Sequence, residues 1–171
     1  YGYISLSLSY QFARLALKAK YYNKSIYYIA EKLYGVEPDE QFLQVICSLL
    51  IKGNRTGKEY HEYFRLAVEA NLKIIGLNEF FIRSMDFETY DLIPQRVLIY
   101  FTYSNSLDYL EKAYLYSNVL RNKEKYEEVY GAYYSKMLPF IEEQLLKGRI
   151  NEHLAYLYTC FQKEVLEKPD N

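Results

Sequence analysis

The 171-residue sequence predicts an all-α protein of eight or nine helices, arranged as about four helical hairpins. Half of the residues are hydrophobic, whereas glycine and proline occur only seven and four times. Such a chain can bury a core but has few of the residues that form turns between strands. Apolar residues recur at steps of three and four, which is the period of a helix with one buried face. We see no strand pattern.

The first three helices are predicted over residues 5–20, 23–34 and 39–52. Gly35 follows the second helix, at a position where a left-handed residue commonly ends a helix. Pro38 and Asp39 then open the third, because an aspartate can accept hydrogen bonds from the first-turn N–H groups. The expected inward positions are Leu8, Phe12, Leu15 and Ala19; Ile26, Ile29, Ala30 and Leu33; and Phe42, Leu43, Ile46, Cys47 and Leu50.

The fourth helix is predicted from Gly57 to Ile75, since its apolar residues form one wide stripe of helical period. A shorter helix is expected over residues 78–85. The segment DFETYDLIP (86–94) is the longest irregular stretch. Its acids lack the glycine and final glutamate of a calcium-binding hand, so we expect them to cap and solvate the loop. They are Asp86, Glu88 and Asp91.

The remaining helices are predicted over residues 94–103, 107–120, 124–147 and 151–165, and EKPDN is expected to be a frayed tail. Leu110, Ala113 and Tyr114 should share the inward face of the second of these. Pro139 lies inside the longest helix. Because proline removes a backbone donor and clashes with the preceding turn, a kink or break is predicted near Met137.

One phrase occurs twice, as LLIKGNRTGKEYHEYFRLA (49–67) and as QLLKGRINEHLAYLYTCF (144–161). Each copy has an apolar helix end, a Lys-Gly stop, a polar turn with Arg and Asn, and a second amphipathic helix. The phrase therefore predicts a hairpin turn. Spacings of about 34 to 50 residues between such turns indicate stacked helix-hairpin repeats. The sharp turns fall near residues 21, 55, 105 and 149.

These segments, together with KAKYYNKSIYYIAEKLYGVEP (18–38), resemble tetratricopeptide repeats and their relatives among α-α superhelices. The resemblance implies one helical-repeat domain over residues 1–171, with a concave face that holds a peptide or a partner helix. The tyrosine-rich composition, 22 residues without a tryptophan, also resembles that of bacterial domains of unknown function. That second resemblance implies no activity.

The concave face would be formed by the outgoing helices, which are the first, the third, 94–103 and 124–147. Tyrosine and arginine are frequent binding hot spots. Any one of the candidates on this face could instead serve ordinary surface or inter-helix packing. The non-core positions expected there are Arg14, Lys18, Gln44, Arg96, Tyr100, Tyr130 and Tyr133.

No motif for catalysis, metal or cofactor binding was found. His61 and His153 lie in separate hairpins, without His-Glu-x-x-His spacing, and are expected to be surface or turn residues. Cys47 and Cys160 lie singly in apolar helical runs, which indicates core thiols rather than zinc ligands or a disulfide framework. GNRTGKEY has the wrong spacing for a phosphate-binding loop. The sequence therefore predicts no metal and no cofactor.

The net charge of −1 provides no field that would attract nucleic acid. No apolar run reaches the length of a membrane span, about 18 residues. The chain starts without Met, so we expect a fragment or processed chain of a larger protein. Without a visible signal sequence, a cytoplasmic location is favoured. The leading interpretation is a non-enzymatic protein interaction module. The alternatives are a spacer or oligomerisation unit in a multidomain protein and, least favoured, an enzyme without a readable motif.

Overall fold

A computed structural model describes residues 6–89 and 91–166, and in these residues every regular element is helical. The all-α prediction is therefore confirmed. A 3-10 turn, Lys58–Tyr60, precedes the fourth of the described helices. The predicted start at Ser5 and the predicted tail at 167–171 lie outside the described residues. The helices are α1 (Leu6–Leu17), α2 (Lys24–Val36), α3 (Glu40–Lys52), α4 (His61–Glu69), α5 (Leu77–Arg83), α6 (Gln95–Thr102), α7 (Tyr109–Arg121), α8 (Glu127–Leu146), α9 (Glu152–Cys160) and α10 (Gln162–Leu166).

The residue contacts divide the chain into two compact units, residues 1–86 and residues 87–171. The first unit holds α1 to α5 and the second holds α6 to α10. The expectation of a single helical-repeat domain stays a prediction.

Helix α3 is the core of the first unit, and α1, α2 and α4 all pack against it. The five residues predicted to line it are buried. Asp39 caps it as predicted, because its carboxylate accepts a hydrogen bond of 2.7 Å from the Gln41 N–H. The Tyr10 ring of α1 lies on Phe42, with 6.3 Å between the ring centroids. This helix follows its sequence pattern because periodicity and cap agree.

The predicted inward faces of α1 and α2 are partly wrong. In α1 the buried residues are Ser9, Ala13 and Ala16, whereas Leu15 is 69 % exposed and Leu8 is also exposed. In α2 only Ala30 is fully buried, and Ile29 is exposed. Small side chains allow one helix backbone to approach another closely. The contact of α1 with α3 therefore selects its small residues, and the leucines lie on the other side.

The end of α2 is set by Pro38 and not by Gly35. The helix continues through Gly35 to Val36, and Glu37 then becomes extended, with φ −137° and ψ 98°. The residue before a proline is driven out of the helical region by the proline ring. The predicted left-handed stop at Gly35 is therefore wrong.

Helix α4 is much shorter than the predicted 57–75 segment. It ends at Glu69 because Asn71 is left-handed, with φ 59°. The Leu72 N–H then donates to the Ala67 carbonyl at 3.0 Å, which is the bond of a Schellman cap. Ile75, placed on the apolar stripe by its spacing, lies beyond this cap and is 96 % exposed.

Helix α7 is the core of the second unit, with every residue from Ala113 to Leu120 buried. Ala113 and Tyr114 confirm the predicted inward face, but Leu110 on the same stripe is exposed. Helix α8 runs through Pro139 as one helix, so the break predicted near Met137 does not occur. Met137, two residues before the proline, and Phe140, directly after it, are buried. Asn151 caps α9 as predicted, accepting from the Leu154 N–H at 2.7 Å.

The two copies of the repeated phrase form turns of the same kind. Asn54 (φ 51°) and Gly148 (φ 67°) are the left-handed residues, and each is followed by an arginine. The N–H groups of Arg55 and Arg149 close Schellman bonds of 2.9 and 3.0 Å to carbonyls five residues earlier. Each guanidinium also stacks on a tyrosine: Arg55 on Tyr22 at 4.7 Å and Arg149 on Tyr109 at 4.0 Å.

Gly53 has a different role from Gly148, although both follow a lysine. Its backbone is not left-handed, but a Cβ there would lie 2.7 Å from the Cβ of Tyr22. Glycine is therefore required because the Tyr22 side chain crosses the turn. Lys52 fastens the same region, since its ammonium donates to the carbonyls of Leu17 and Ala19 at the end of α1.

Candidate interaction surface

Helix α6 is fastened to α8 along its whole length. Four residues between 93 and 102 bond, in the same order along the chain, to four residues between 126 and 136, so the two helices run parallel. Two of the four bonds are made to backbone carbonyls of α6 itself. The pairs, in order, are Ile93 O with the Tyr126 hydroxyl at 2.7 Å, Gln95 Nε2 with Glu128 Oε2 at 2.6 Å, Leu98 O with the Tyr133 hydroxyl, and Thr102 O with Lys136 Nζ.

The opposite side of α6 carries a row of exposed side chains, which we call the α6 stripe: Arg96, Ile99, Tyr100 and Tyr103. These residues have the i, i+3, i+4, i+7 spacing of one helix face. Ile99 is 45 %, Tyr100 39 % and Tyr103 88 % exposed, and Arg96 is exposed beside them. The inner face of α6 is buried and consists of Val97, Leu98 and Phe101. This short helix therefore carries apolar side chains on both its buried and its exposed side.

The irregular segment before α6, which we call the strap (Phe87–Thr89 and Asp91–Ile93), is held by buried side chains. Alternate carbonyls accept one side-chain hydrogen bond each, from three tyrosine or asparagine side chains and from a histidine. The pairs are Phe87 O with His153 Nε2 at 2.7 Å, Thr89 O with the Tyr114 hydroxyl at 3.0 Å, Asp91 O with Asn118 Nδ2 at 2.8 Å, and Ile93 O with the Tyr126 hydroxyl at 2.7 Å.

The strap accounts for the buried position of His153, which the sequence did not predict. His153 is buried, so its expected place at the surface is wrong. Because a carbonyl oxygen can only accept, Nε2 carries the proton toward Phe87 O. Nδ1 lies 3.2 Å from the Ser117 hydroxyl. His61 makes a similar contact in the first unit, with Nδ1 2.9 Å from the hydroxyl of Ser84.

The first helix of the first unit also exposes apolar and basic side chains together. Leu15 lies between the cations Arg14 and Lys18, and all three are exposed. They line one open surface depression with Gln11 and Leu17. Neither α1 nor α6 contains an acidic residue. The outward faces of these two helices thus share a character: apolar, with positive charge.

The structure places the seven sequence candidates at different depths. Arg14 is exposed on α1 and Lys18 directly after it, and Arg96 and Tyr100 are exposed on α6. Gln44 and Tyr130 are half-buried. Tyr133 is buried beneath α6, with its hydroxyl donating to Leu98 O, and burial raises its pKa. A role at an exposed contact surface does not fit that position. Whether the other six candidates bind a partner stays a prediction.

Two members of the α6 stripe were missed by sequence reasoning, Ile99 and Tyr103. Their signal was present, because they lie three and seven residues after Arg96 on the same face. Sequence alone did not separate this face from the buried one, since both are apolar.

Two tyrosines of the first unit donate to the same carboxylate. Glu31 accepts hydrogen bonds from the hydroxyls of Tyr27 and Tyr63 at 2.9 and 3.0 Å. Burial, together with the bond to this carboxylate, raises the pKa of Tyr63 to about 12. The Tyr63 hydroxyl ties α4 to α2, whereas the Tyr27 bond lies within α2. No group of three or more His, Cys, Asp or Glu residues with the geometry of a metal site occurs among the described residues.

Within residues 6–89 and 91–166, no helix combines the length and the apolar character that a bilayer span needs. The fold and its surface thus define an all-α protein of packed helix pairs with an exposed apolar and basic stripe. The chain belongs to a family of unknown function, DUF5717, whose N-terminal model matches residues 1–169. No curated protein and no solved structure matches the chain. The resemblance to domains of unknown function is confirmed, and the resemblance to tetratricopeptide repeats stays a prediction.

Proposed function

We propose that this chain is a non-enzymatic interaction module that binds a protein or peptide partner on the α6 stripe. The observation that carries the proposal is the exposure of Ile99, Tyr100 and Tyr103 beside Arg96 on one helix face. A contiguous patch of exposed apolar side chains often marks an interaction site. Tyrosine and arginine are also the side chains enriched at the centres of binding interfaces.

The helix order within each unit supports an α-α superhelical architecture of the tetratricopeptide kind. In such a fold every second helix runs parallel. In the first unit α1 and α3 run parallel, because Tyr10, early in α1, contacts Phe42, early in α3, and Leu17 at the end of α1 contacts Lys52 at the end of α3. In the second unit α6 and α8 do the same, and so do α7 and α9. The pairs in α7 and α9 are Tyr114 with His153 and Arg121 with Tyr156.

The α6 stripe is also held in a rigid position before a partner binds. The strap fixes the start of α6, and the bonds to α8 fix its middle and its end. A rigid site loses little conformational entropy when a partner binds, so more of the contact energy appears as affinity. Side chains on a supported helix are placed more accurately than side chains on a loop.

The test is a photo-crosslinking residue at position 103, introduced into the protein in the cell that produces it. The binding variant is Arg96→Ala/Tyr100→Ala. Its matched control is Tyr21→Ala/Lys24→Ala, which removes an exposed tyrosine and an exposed cation from the first unit. Circular dichroism and thermal melting establish that both variants fold.

We expect a reproducible crosslinked partner that is lost with the binding variant and kept with the control. If the folded binding variant retains the partner at wild-type yield, the α6 stripe is not the site. If no partner is captured at all, the interaction proposal fails. A concentration-dependent dimer that only the binding variant abolishes would instead assign the stripe to an oligomerisation unit.

A further inference from the structure

We propose that the carboxylate of Glu31, with the tyrosines around it, is a binding site for a primary ammonium group, the end of a lysine side chain or of a free polyamine. The site lies in the first unit, so the inference is independent of the function proposed for the α6 stripe. Three observations carry it: a carboxylate with no cation beside it, one carboxylate oxygen that is open to solvent, and two hydroxyl groups that hold the carboxylate in place.

Glu31 is half-buried on α2 and forms no ion pair with any lysine or arginine that the structure describes. The cations of the facing α4 segment are engaged with other acids. Lys58 lies 3.2 Å from Asp86, and Arg65 bonds to two glutamates of its own helix. A charge that is partly removed from water is stabilised by an opposite charge beside it. A cationic ligand would supply the counter-charge that the described fold does not.

One oxygen of this carboxylate, Oε1, is accessible to a ligand. The hydroxyls of Tyr27 and Tyr63 both donate to the other oxygen, Oε2, at 2.9 and 3.0 Å. Among the described residues no buried side-chain oxygen lacks a hydrogen-bond partner, so Oε1, which has none there, is open to solvent. The two hydroxyl oxygens keep lone pairs that can accept. An ammonium has three N–H donors and no acceptor, so it matches one carboxylate oxygen with a hydroxyl oxygen from each tyrosine.

The tyrosines fix this site before a ligand binds. Burial, with the bond to Glu31, raises the pKa of Tyr27 far above its ordinary value and that of Tyr63 to about 12, so both hydroxyls stay protonated and donate at physiological pH. Further rings lie edge to face against these two, Tyr60 at 6.3 Å from Tyr27 and Tyr34 at 6.2 Å from Tyr63. Aromatic rings attract cations through their faces and offer apolar surface to the methylenes of an alkyl ammonium.

The experiment is a titration of the full, isotopically labelled chain followed by the NMR shifts of its backbone amides. Butylammonium has the charge, the N–H donors and the alkyl stem of lysine. N-butylacetamide keeps the stem without the charge, and tetramethylammonium keeps the charge without an N–H donor. Two further ligands separate the sources of the ammonium: spermidine stands for a free polyamine, and a blocked tripeptide with lysine between two glycines stands for a side chain of a partner.

We expect butylammonium to cause saturable shift changes centred on Tyr27, Glu31 and Tyr63, and to bind at least about tenfold more tightly than N-butylacetamide or tetramethylammonium. Glu31→Gln removes the charge but keeps an oxygen that can accept from both hydroxyls, so it should fold and bind butylammonium at least about tenfold more weakly. The matched control is Glu37→Gln, which removes an exposed glutamate directly after the same helix. It should bind as wild type.

The inference is overturned if no amine binds saturably, if the shift changes centre elsewhere, if either comparison ligand binds as tightly as butylammonium, or if Glu31→Gln binds like wild type. Should Glu31→Gln fail to fold, the wild-type shift map and the three probes decide. Tighter binding of spermidine assigns the site to a free polyamine, and tighter binding of the tripeptide assigns it to a lysine side chain of a partner. Crosslinking at position 103 bears only on the α6 stripe, so the two proposals stand or fall separately.

Discussion

Removing a single hydroxyl, in Tyr126→Phe, should loosen the strap and destabilise the second unit. The hydroxyl is buried and lies 2.7 Å from Ile93 O and 3.2 Å from Asn118 Oδ1. It has one proton, so the shorter bond to Ile93 is the main one. Phenylalanine keeps the ring and leaves a buried carbonyl without its donor.

The cost follows from that lost pairing. A buried acceptor left unsatisfied costs about 1–3 kcal/mol, whereas the loss of the packing volume of one oxygen is small. We therefore expect the free energy of unfolding to fall by about 1–3 kcal/mol. The matched control is Tyr103→Phe, whose side chain is 88 % exposed. Its effect should stay within about 0.5 kcal/mol.

Urea unfolding followed by circular dichroism measures both variants, and hydrogen exchange reports on the amides around the strap. The strap amides should exchange faster in Tyr126→Phe than in the control. If the two variants have the same unfolding free energy and the same exchange, the hydroxyl does not hold the strap and the reasoning fails.

The same residue makes a pH prediction. Burial raises the pKa of Tyr126 from 10.0 to about 12. The folded state therefore holds this proton more tightly than the unfolded chain. Its contribution to stability is complete below about pH 10 and is lost as the pH rises toward 12. The phenylalanine variant should lack that part of the alkaline loss.

Three further predictions follow from burial and backbone geometry. Ala67→Asp should cost at least about 3 kcal/mol because it places a carboxylate at a fully buried position; an unchanged melting temperature would mean that the inward face of α4 is misassigned. Gly53→Ala should destabilise, since its Cβ would lie 2.7 Å from a tyrosine Cβ, whereas Gly131→Ala in the open middle of α8 should stabilise by about 0.5–1 kcal/mol; equal shifts in melting temperature would contradict the close approach at residue 53. A thiol reagent at neutral pH should label Cys160 rapidly, because it is exposed and not in the core as predicted, and Cys47 only on unfolding, because burial raises the pKa of Cys47 to about 12; equally rapid labelling of both thiols in the native protein would count against that burial.

Two of the four residues of the α6 stripe could be predicted from the sequence. Arg96 and Tyr100 are one turn apart, so their common projection follows from helix geometry alone. Tyr133 is a tyrosine like Tyr100, but it is buried beneath α6, whereas Tyr100 lies on the exposed face of α6. Sequence could not separate the two, because tyrosine is suited both to a half-polar surface and to a core where its hydroxyl finds a carbonyl.

Local signals by themselves determined the helical class, the buried face of α3, the caps at Asp39 and Asn151, and the turns at the two copies of the repeated phrase. Each of these depends on residues within one or two helical turns, such as a side chain that accepts from an N–H two or three positions later. The tertiary structure alone decided which side of α1 is buried, and where the strap lies. Packing α1 against α3 favoured Ala13 and Ala16 over the larger leucines, since close approach of two helices rewards small side chains. The bond from His153 to Phe87 joins residues 66 positions apart, and such a partner is set by the fold, because no local pattern specifies which distant carbonyl will need a donor.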